Sequence, residues 1–344
     1  MSITVFVTND FDHMSKIAAD IVIKKIIETH RKKKEVVLGL ATGNSPTGLY
    51  KYLARAANRG QFDSSRIRSF NLDEYVGLPG DNIQQRVVHP ESYAYFMIQE
   101  FFGLLKNKFI ETHVPYGSLI DQKRLIRELN ENREDWVFKG TDAGKSIVIK
   151  AKTASVYLAW IRKEILDGYS RKIKAAGGID LQIIGVGGRG HVAFHEAGIP
   201  FKGSSVMLIK LDDDTIANAV KDGHFSTAGD SPNYAVSMGA ELVYQAGTVL
   251  LLANGERKVA SIARSLLDGV TPEIPISYGQ AYAEKGGDLI YVIDRIAGRE
   301  LLANNKGLKE KGIVLKNLTK NLKCKKDEIK TSGRSGDRSF QRTP

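Results

Sequence analysis

Short apolar runs alternate along this chain with stretches whose apolar residues recur at helical spacing. Ile3 to Val7 reads as a strand, and Ile17, Ala18, Ile21, Val22 and Ile26 then mark one face of a helix. Val36 to Leu40 is a strand with no polar side chain, which places it near a sheet centre. It opens into the loop Thr42 to Thr47 and a helix expected to run to about Asn58, with Pro46 suited to the first turn. Further strands are expected at Ile67 to Leu72, Leu181 to Ile184, Thr248 to Leu252 and Leu289 to Ile293. Helices are expected from His89 to Phe102, Thr153 to Ile173, Asp212 to Lys221, and after Lys258 to Leu267. Pro79 to Val88, polar and glycine-punctuated, reads as a loop. This alternation through residue 300 predicts an α/β fold, a doubly wound and mostly parallel sheet in a single domain, residues 1–302. Residues 303–344 read as a basic tail, a frayed helix followed by disorder.

Composition adjusts this picture in two places. The single cysteine, Cys324, excludes an internal disulfide and favours a reducing, cytoplasmic setting. No signal peptide is expected, because the first residues lack a basic start and a long apolar core. No run of 18 apolar residues occurs, so no membrane-spanning helix is expected. The net charge of +11 is unevenly placed: from Lys306 onward 12 Lys/Arg stand against 4 Asp/Glu, a net of +8, which leaves 11 − 8 = +3 for the rest. A basic patch for nucleic acid would therefore concern the tail alone, and a soluble extension is the favoured reading there.

The candidate chemistry centres on DLQIIGVGGRGHVAFHE, residues 180–196. A buried strand ends in Gly185, Gly187, Gly188 and Gly190, and the imidazole of His191 and the carboxylate of Glu196 follow. Open α/β sheets build their sites at such strand ends. The segment also matches G-x-G-x-x-G, but Pro200 interrupts the long helix a dinucleotide site needs, so that reading is set aside. Thr42-Gly43-Asn44 precedes a helix N-terminus, where free N–H groups and the dipole favour an anion; an ordinary capped loop explains the residues equally well. Asn254 to Lys258 repeats the grammar with a cation in the first turn, which the helix dipole disfavours unless an anion is near. Asp73 and Glu74 close the third strand as helix caps or as a general base. GTDAGKS, residues 140–146, has three residues between its glycines where a nucleotide loop needs four, and is rejected as one.

Four ordered segments together resemble the glucosamine-6-phosphate deaminase (isomerase) family. They are LGLATGNSPTGLYKYL (38–53), FNLDEYVGL (70–78) with HPESYAYFM (89–97), residues 180–196, and LLLANGERKVASI (250–262) with GVTPEIP (269–275). The resemblance covers roughly residues 1 to 300 and implies a Rossmann-like sandwich. It implies conversion of glucosamine 6-phosphate and water to fructose 6-phosphate and ammonium, with no metal or organic cofactor. His191 would open the sugar ring, Asp73 would carry the proton between C2 and C1, and Glu196 would orient the histidine. Thr42, Gly43, Asn44 and Lys258 would hold the phosphate, and Gly187, Gly188 and Arg189 would line the substrate. A homo-oligomer without membrane contact is expected. Two alternatives stand beside it: a sugar-phosphate-binding homologue without turnover, and a related isomerase or 6-phosphogluconolactonase-type hydrolase. The chain departs from the family at Arg189, where Asp is usual, and at His195, where Asn is usual. A second phosphate-binding arginine would fall near Val220 or Lys221.

Overall fold

Thirteen strands in two sheets are found among residues 2–319, which the structure, a computed structural model, describes. In chain order they are β1 (Ser2–Thr8), β2 (Val36–Leu40), β3 (Ile67–Asn71), β4 (Asp73–Val76), β5 (Glu111–His113), β6 (Trp136–Lys139), β7 (Lys145–Ile149), β8 (Leu181–Ile184), β9 (Val206–Lys210), β10 (Tyr234–Met238), β11 (Thr248–Ala253), β12 (Asp288–Asp294) and β13 (Val314–Asn317). Eight of them form one sheet in the order β13-β1-β12-β11-β8-β2-β3-β5, and every neighbouring pair is parallel.

The central strands bury both faces. In β2, Val36, Leu38 and Leu40 join the core beneath helices Phe11–His30 and Thr47–Asn58, while Val37 points into the opposite core. β11 divides the same way: Leu250 and Leu252 on one side, Val249 and Leu251 on the other. Period-two alternation between two apolar cores is why these strands read as unbroken hydrophobic runs. Gly39 and Gln182 are register partners across β2 and β8. A Cβ on Gly39 would lie 2.0 Å from Gln182 Oε1, so the glycine makes room for a buried amide at the sheet centre.

β2 leads outward to β3 and β5, whereas β8 leads the other way to β11 and β12. The sheet therefore reverses its winding between β2 and β8, which opens a crevice at their carboxyl ends.

A second sheet was not foreseen from the sequence. It is antiparallel, in the order β4-β10-β9-β7-β6. Only Leu72 separates β3 from β4. Its N–H donates to Leu40 O at 3.0 Å and its carbonyl accepts from Met238 N at 2.7 Å. The chain thus passes from one sheet to the other within a single residue, and no turn signal marks the passage.

Other expectations are revised locally. The predicted loop over 79–88 contains a short helix, Ile83–Val87, capped by the Asn82 side chain. The predicted helix over 153–173 widens into a π-helical stretch at Ile161–Leu166. Residues 140–144, rejected as a nucleotide loop, connect the β6–β7 hairpin. The expected boundary at 302 falls inside helix Arg299–Ala303, and the chain beyond it continues as helix Asn305–Glu310 and as β13, paired with β1. Leu308 and Ile313 are buried there and anchor the segment, so it is not frayed. Cys324 and the rest of the basic tail, 320–344, lie outside the described residues. Among the described residues no helix is long and apolar enough to cross a membrane.

Candidate active site

The neighbouring strands β11, β8, β2 and β3 all end at the crevice, and their exit segments line one cleft of about 610 Å³. Such a volume suits a small ligand. Thr42, Gly43, Asn44, Asp73, Gly187, Gly188, His191 and Lys258, all expected from sequence, are on its wall.

Each loop has a local reason for its shape. Gly43 has φ +88°, a left-handed conformation that glycine adopts freely. Ser45 Oγ donates to Asn254 Oδ1 at 2.8 Å, which fastens the β2 loop to the β11 loop. Gly255, at φ +82°, donates its N–H to the Asp294 carboxylate at 3.1 and 3.2 Å. The following turn, Glu256–Lys258, brings Lys258 to the cleft wall at the start of helix Val259–Leu267. Burial holds the Lys258 ammonium below its ordinary pKa, and Arg257 adds to this, against Asp222. A half-buried cation weakened by its surroundings gains from an anion placed beside it.

The glycine turn serves the histidine. Gly187 N–H donates to His191 O at 3.1 Å, and Gly190 N–H donates to Gly187 O at 3.0 Å. A Cβ on Gly187 would lie 2.0 Å from His191 Nε2, so the imidazole packs directly over this backbone. No helix follows: Val192 and His195 bridge, and Ala193 takes φ +52°. The fingerprint spacing therefore reflects histidine packing and not a dinucleotide cradle.

His191 Nδ1 faces Glu196 Oε2 at 3.3 Å. In the neutral ring Nδ1–H donates to that carboxylate and Nε2 is left as the acceptor. Glu196 is buried, which by itself would raise its pKa. The bond and charge of His191, the Thr215 hydroxyl and the Asp212 N–H outweigh this and hold it below the ordinary value.

Asp73 stands at the seam between the two sheets. It is buried on the cleft wall, and its Oδ1 has no hydrogen-bond partner. Burial, followed by the neighbouring Glu74 charge, lifts its pKa well above the usual carboxylate range. Tyr75, Tyr93 and Phe194 form an aromatic wall on the same cleft, with ring centroids 5.0 to 6.0 Å apart. Glu74 turns away and caps helix Tyr93–Glu100, accepting from Tyr93 N and Ala94 N at 3.1 Å and from Ser92 Oγ at 2.8 Å. The helix-cap reading of this acidic pair thus falls to Glu74.

Arg189 is not on the cleft wall, and its expected substrate contact is corrected. Its guanidinium turns to Asp142, to Asp212 at 3.1 Å and to Asp214 at 3.4 Å. His195 is structural: Nδ1 accepts from Ala240 N at 3.0 Å and Nε2 donates to Ile199 O at 2.9 Å. Burial lowers its pKa to about 4, which keeps it neutral. Lys221 is not among the wall residues either.

Arg257 was missed. It lines the cleft next to Lys258 and pairs with both oxygens of Asp222 at 2.9 and 3.2 Å. Its signal was available, since it precedes Lys258 in the same turn, but a lysine at a helix start drew the attention. Thr215 and Asn218, from helix Asp213–Lys221, were also missed and close another side of the cleft. Among the described residues no group of three or more His, Cys, Asp or Glu is placed to hold a metal ion.

The fold and cleft define a Rossmann-like α/β protein with acid–base groups gathered at the sheet's switch point. The chain belongs to the glucosamine-6-phosphate deaminase family. It is 33% identical over 293 residues to the glucosamine-6-phosphate deaminase of Clostridium acetobutylicum, covering 85% of this chain and 98% of that one. A solved monomeric glucosamine-6-phosphate deaminase of the NagB superfamily shares the fold, with TM-score 0.63 and 24% identity over 87% of this chain and 99% of that chain. The 6-phosphogluconolactonase of Trypanosoma cruzi shares it more distantly, with TM-score 0.55 and 17% identity over 88% and 98%. No family model matches the chain.

Proposed function

We propose that this protein converts glucosamine 6-phosphate and water to fructose 6-phosphate and ammonium. The observation that carries the reading is Asp73: a buried carboxyl with a bare oxygen, on the same cleft wall as His191, whose Nδ1 is backed by Glu196. The amides and hydroxyl of Thr42, Gly43 and Asn44 take the phosphate together with Lys258, and Arg257 supplies a second cation once it leaves Asp222. Anchoring the far end of the sugar restricts the reacting carbons and lowers the entropic part of the barrier.

His191 Nε2 takes the anomeric hydroxyl proton and returns it to the ring oxygen, which gives the open aldehyde. Glu196 keeps the imidazole in the tautomer this requires. Asp73 removes the C2 proton while the aldehyde oxygen takes one from the substrate's ammonium, which forms an enolamine, and Asp73 then delivers its proton to C1. The resulting C2 imine adds water and expels ammonia, leaving the ketone of fructose 6-phosphate. A carboxyl whose pKa burial has raised is suited to both halves of the proton transfer.

The reading without turnover draws on Arg189, which stands two residues before His191 where the family usually has Asp. Its guanidinium is engaged by three carboxylates that do not line the cleft, which supports the reading with turnover. Purified protein is expected to release ammonium from glucosamine 6-phosphate and to form fructose 6-phosphate, and Asp73→Asn to lose both. Absence of ammonium from a panel of amino-sugar phosphates would overturn the reading.

A further inference from the structure

We infer that Arg189 is a positioning residue for the His191–Glu196 pair, acting through Asp212 and the β6–β7 turn. The inference rests on the proposed reaction only for its kinetic consequence. Its structural content stands on the geometry around Glu196.

Glu196 is enclosed by two segments from elsewhere in the chain. The first is the start of helix Asp213–Lys221, where Asp212 N–H donates to Glu196 Oε1 at 3.4 Å and Thr215 donates its hydroxyl. The second is the β6–β7 turn, whose Gly144 lies so close that a Cβ there would meet Glu196 Cγ at 2.7 Å. One guanidinium fastens both. Arg189 binds Asp142 in the turn and Asp212 and Asp214 in the helix start. Asp212 completes the link: it caps the helix through Asp214 N at 2.8 Å and accepts Gly144 N at 3.3 Å.

Charge makes the arrangement interdependent. The Asp212 side chain is only 4% exposed, and Arg189 is its cationic partner. Without that partner a buried negative charge would stand next to the Glu196 carboxylate, which disfavours ionised Glu196. The titratable groups around Glu196 are His191 and His195 on its own segment and Asp212 from the helix, with Asp142, Asp214 and Arg189 one contact further out. The family's aspartate at position 189 would here add a fourth acid to three. The departure from the family pattern is therefore a rewired support, and restoring one residue of it does harm.

The test uses the full chain with Arg189→Gln, Arg189→Lys and Arg189→Asp. The readouts are kcat and KM for glucosamine 6-phosphate, the acid limb of the kcat–pH profile, and titration of the Glu196 side-chain carboxyl by carbon NMR. Arg189→Gln is expected to lower kcat about tenfold or more, with KM changed less than about threefold. Its Glu196 titration and acid limb should move to higher pH. Arg189→Lys should recover most of both effects, and Arg189→Asp should be worse than Gln. Should the Gln variant fail to fold, Asp142→Asn, which removes one tie, is expected to shift the Glu196 titration upward by less. An unchanged Glu196 titration in the folded Gln variant, or a gain of turnover in Arg189→Asp, would overturn the inference. An inactive wild-type enzyme would sink the proposed reaction but not this inference, because the carboxyl titration needs no turnover.

Discussion

Glu74 satisfies both of its carboxylate oxygens with four donors, whereas Asp73, one residue earlier, leaves a buried oxygen bare. Adjacent acids on one strand have different surroundings because they point to opposite faces. Glu74→Gln is expected to cost about 1–3 kcal/mol of stability, since an amide nitrogen would face backbone donors. Denaturant unfolding of the purified variant measures this.

Asp73→Asn is expected to lower kcat by about 10²–10⁴-fold, the range of a lost acid–base group. It should also stabilise the fold near neutrality. The folded-state pKa of Asp73 lies well above its unfolded value of about 3.9, so the native state is penalised once the pH exceeds the unfolded value. The penalty grows until the folded pKa is passed. The gain in Tm from the amide should be largest at neutral pH and vanish below about pH 4, and a Tm–pH series checks it.

Gly187→Ala should damage activity more than folding. The added methyl would occupy the place of His191 Nε2, at 2.0 Å, and must displace the ring. A shift of about 1 Å at a catalytic group costs about 10²-fold in rate. Steady-state kinetics beside a circular dichroism melt separates the two effects.

Lys258→Ala and Arg257→Ala should raise KM, by about tenfold or more for the lysine. Arg257 must exchange Asp222 for the phosphate, so its loss is expected to cost less. Thermal stabilisation by inorganic phosphate should shrink in the same order. Equal stabilisation of both variants and wild type would remove the two cations from the phosphate site.

Buried His195 makes the fold acid-sensitive. Its native pKa of about 4 lies below the ordinary value of 6.5, so between these values the unfolded chain binds more protons. Stability should therefore fall as the pH drops through that window, by up to about 1.4 kcal/mol per pH unit for one group. His195→Asn removes the titrating ring, and its urea midpoints at pH 4.5 and 7 should lie closer together than those of wild type.

The sequence disclosed the parallel sheet because its central strands are buried on two sides and stand out as unbroken apolar runs. It disclosed most of the cleft because each loop follows one of those strands directly. The antiparallel sheet escaped notice because β4, a four-residue strand, begins one residue after β3 ends. The fate of Arg189 was equally hidden: its partners Asp142, Asp212 and Asp214 lie on two separate segments. Arg189 stands two residues from His191 in sequence, but its guanidinium pairs with those three acids and not with the imidazole.

Asp73 is the first residue of the small sheet, and the imidazole of His191 follows a strand of the large one. In the proposed reaction the spacing between these two groups is therefore set by how the two sheets pack about Leu72. A core substitution beneath β9 or β10 is expected to shift Asp73 against His191 and change turnover, although neither strand lines the cleft.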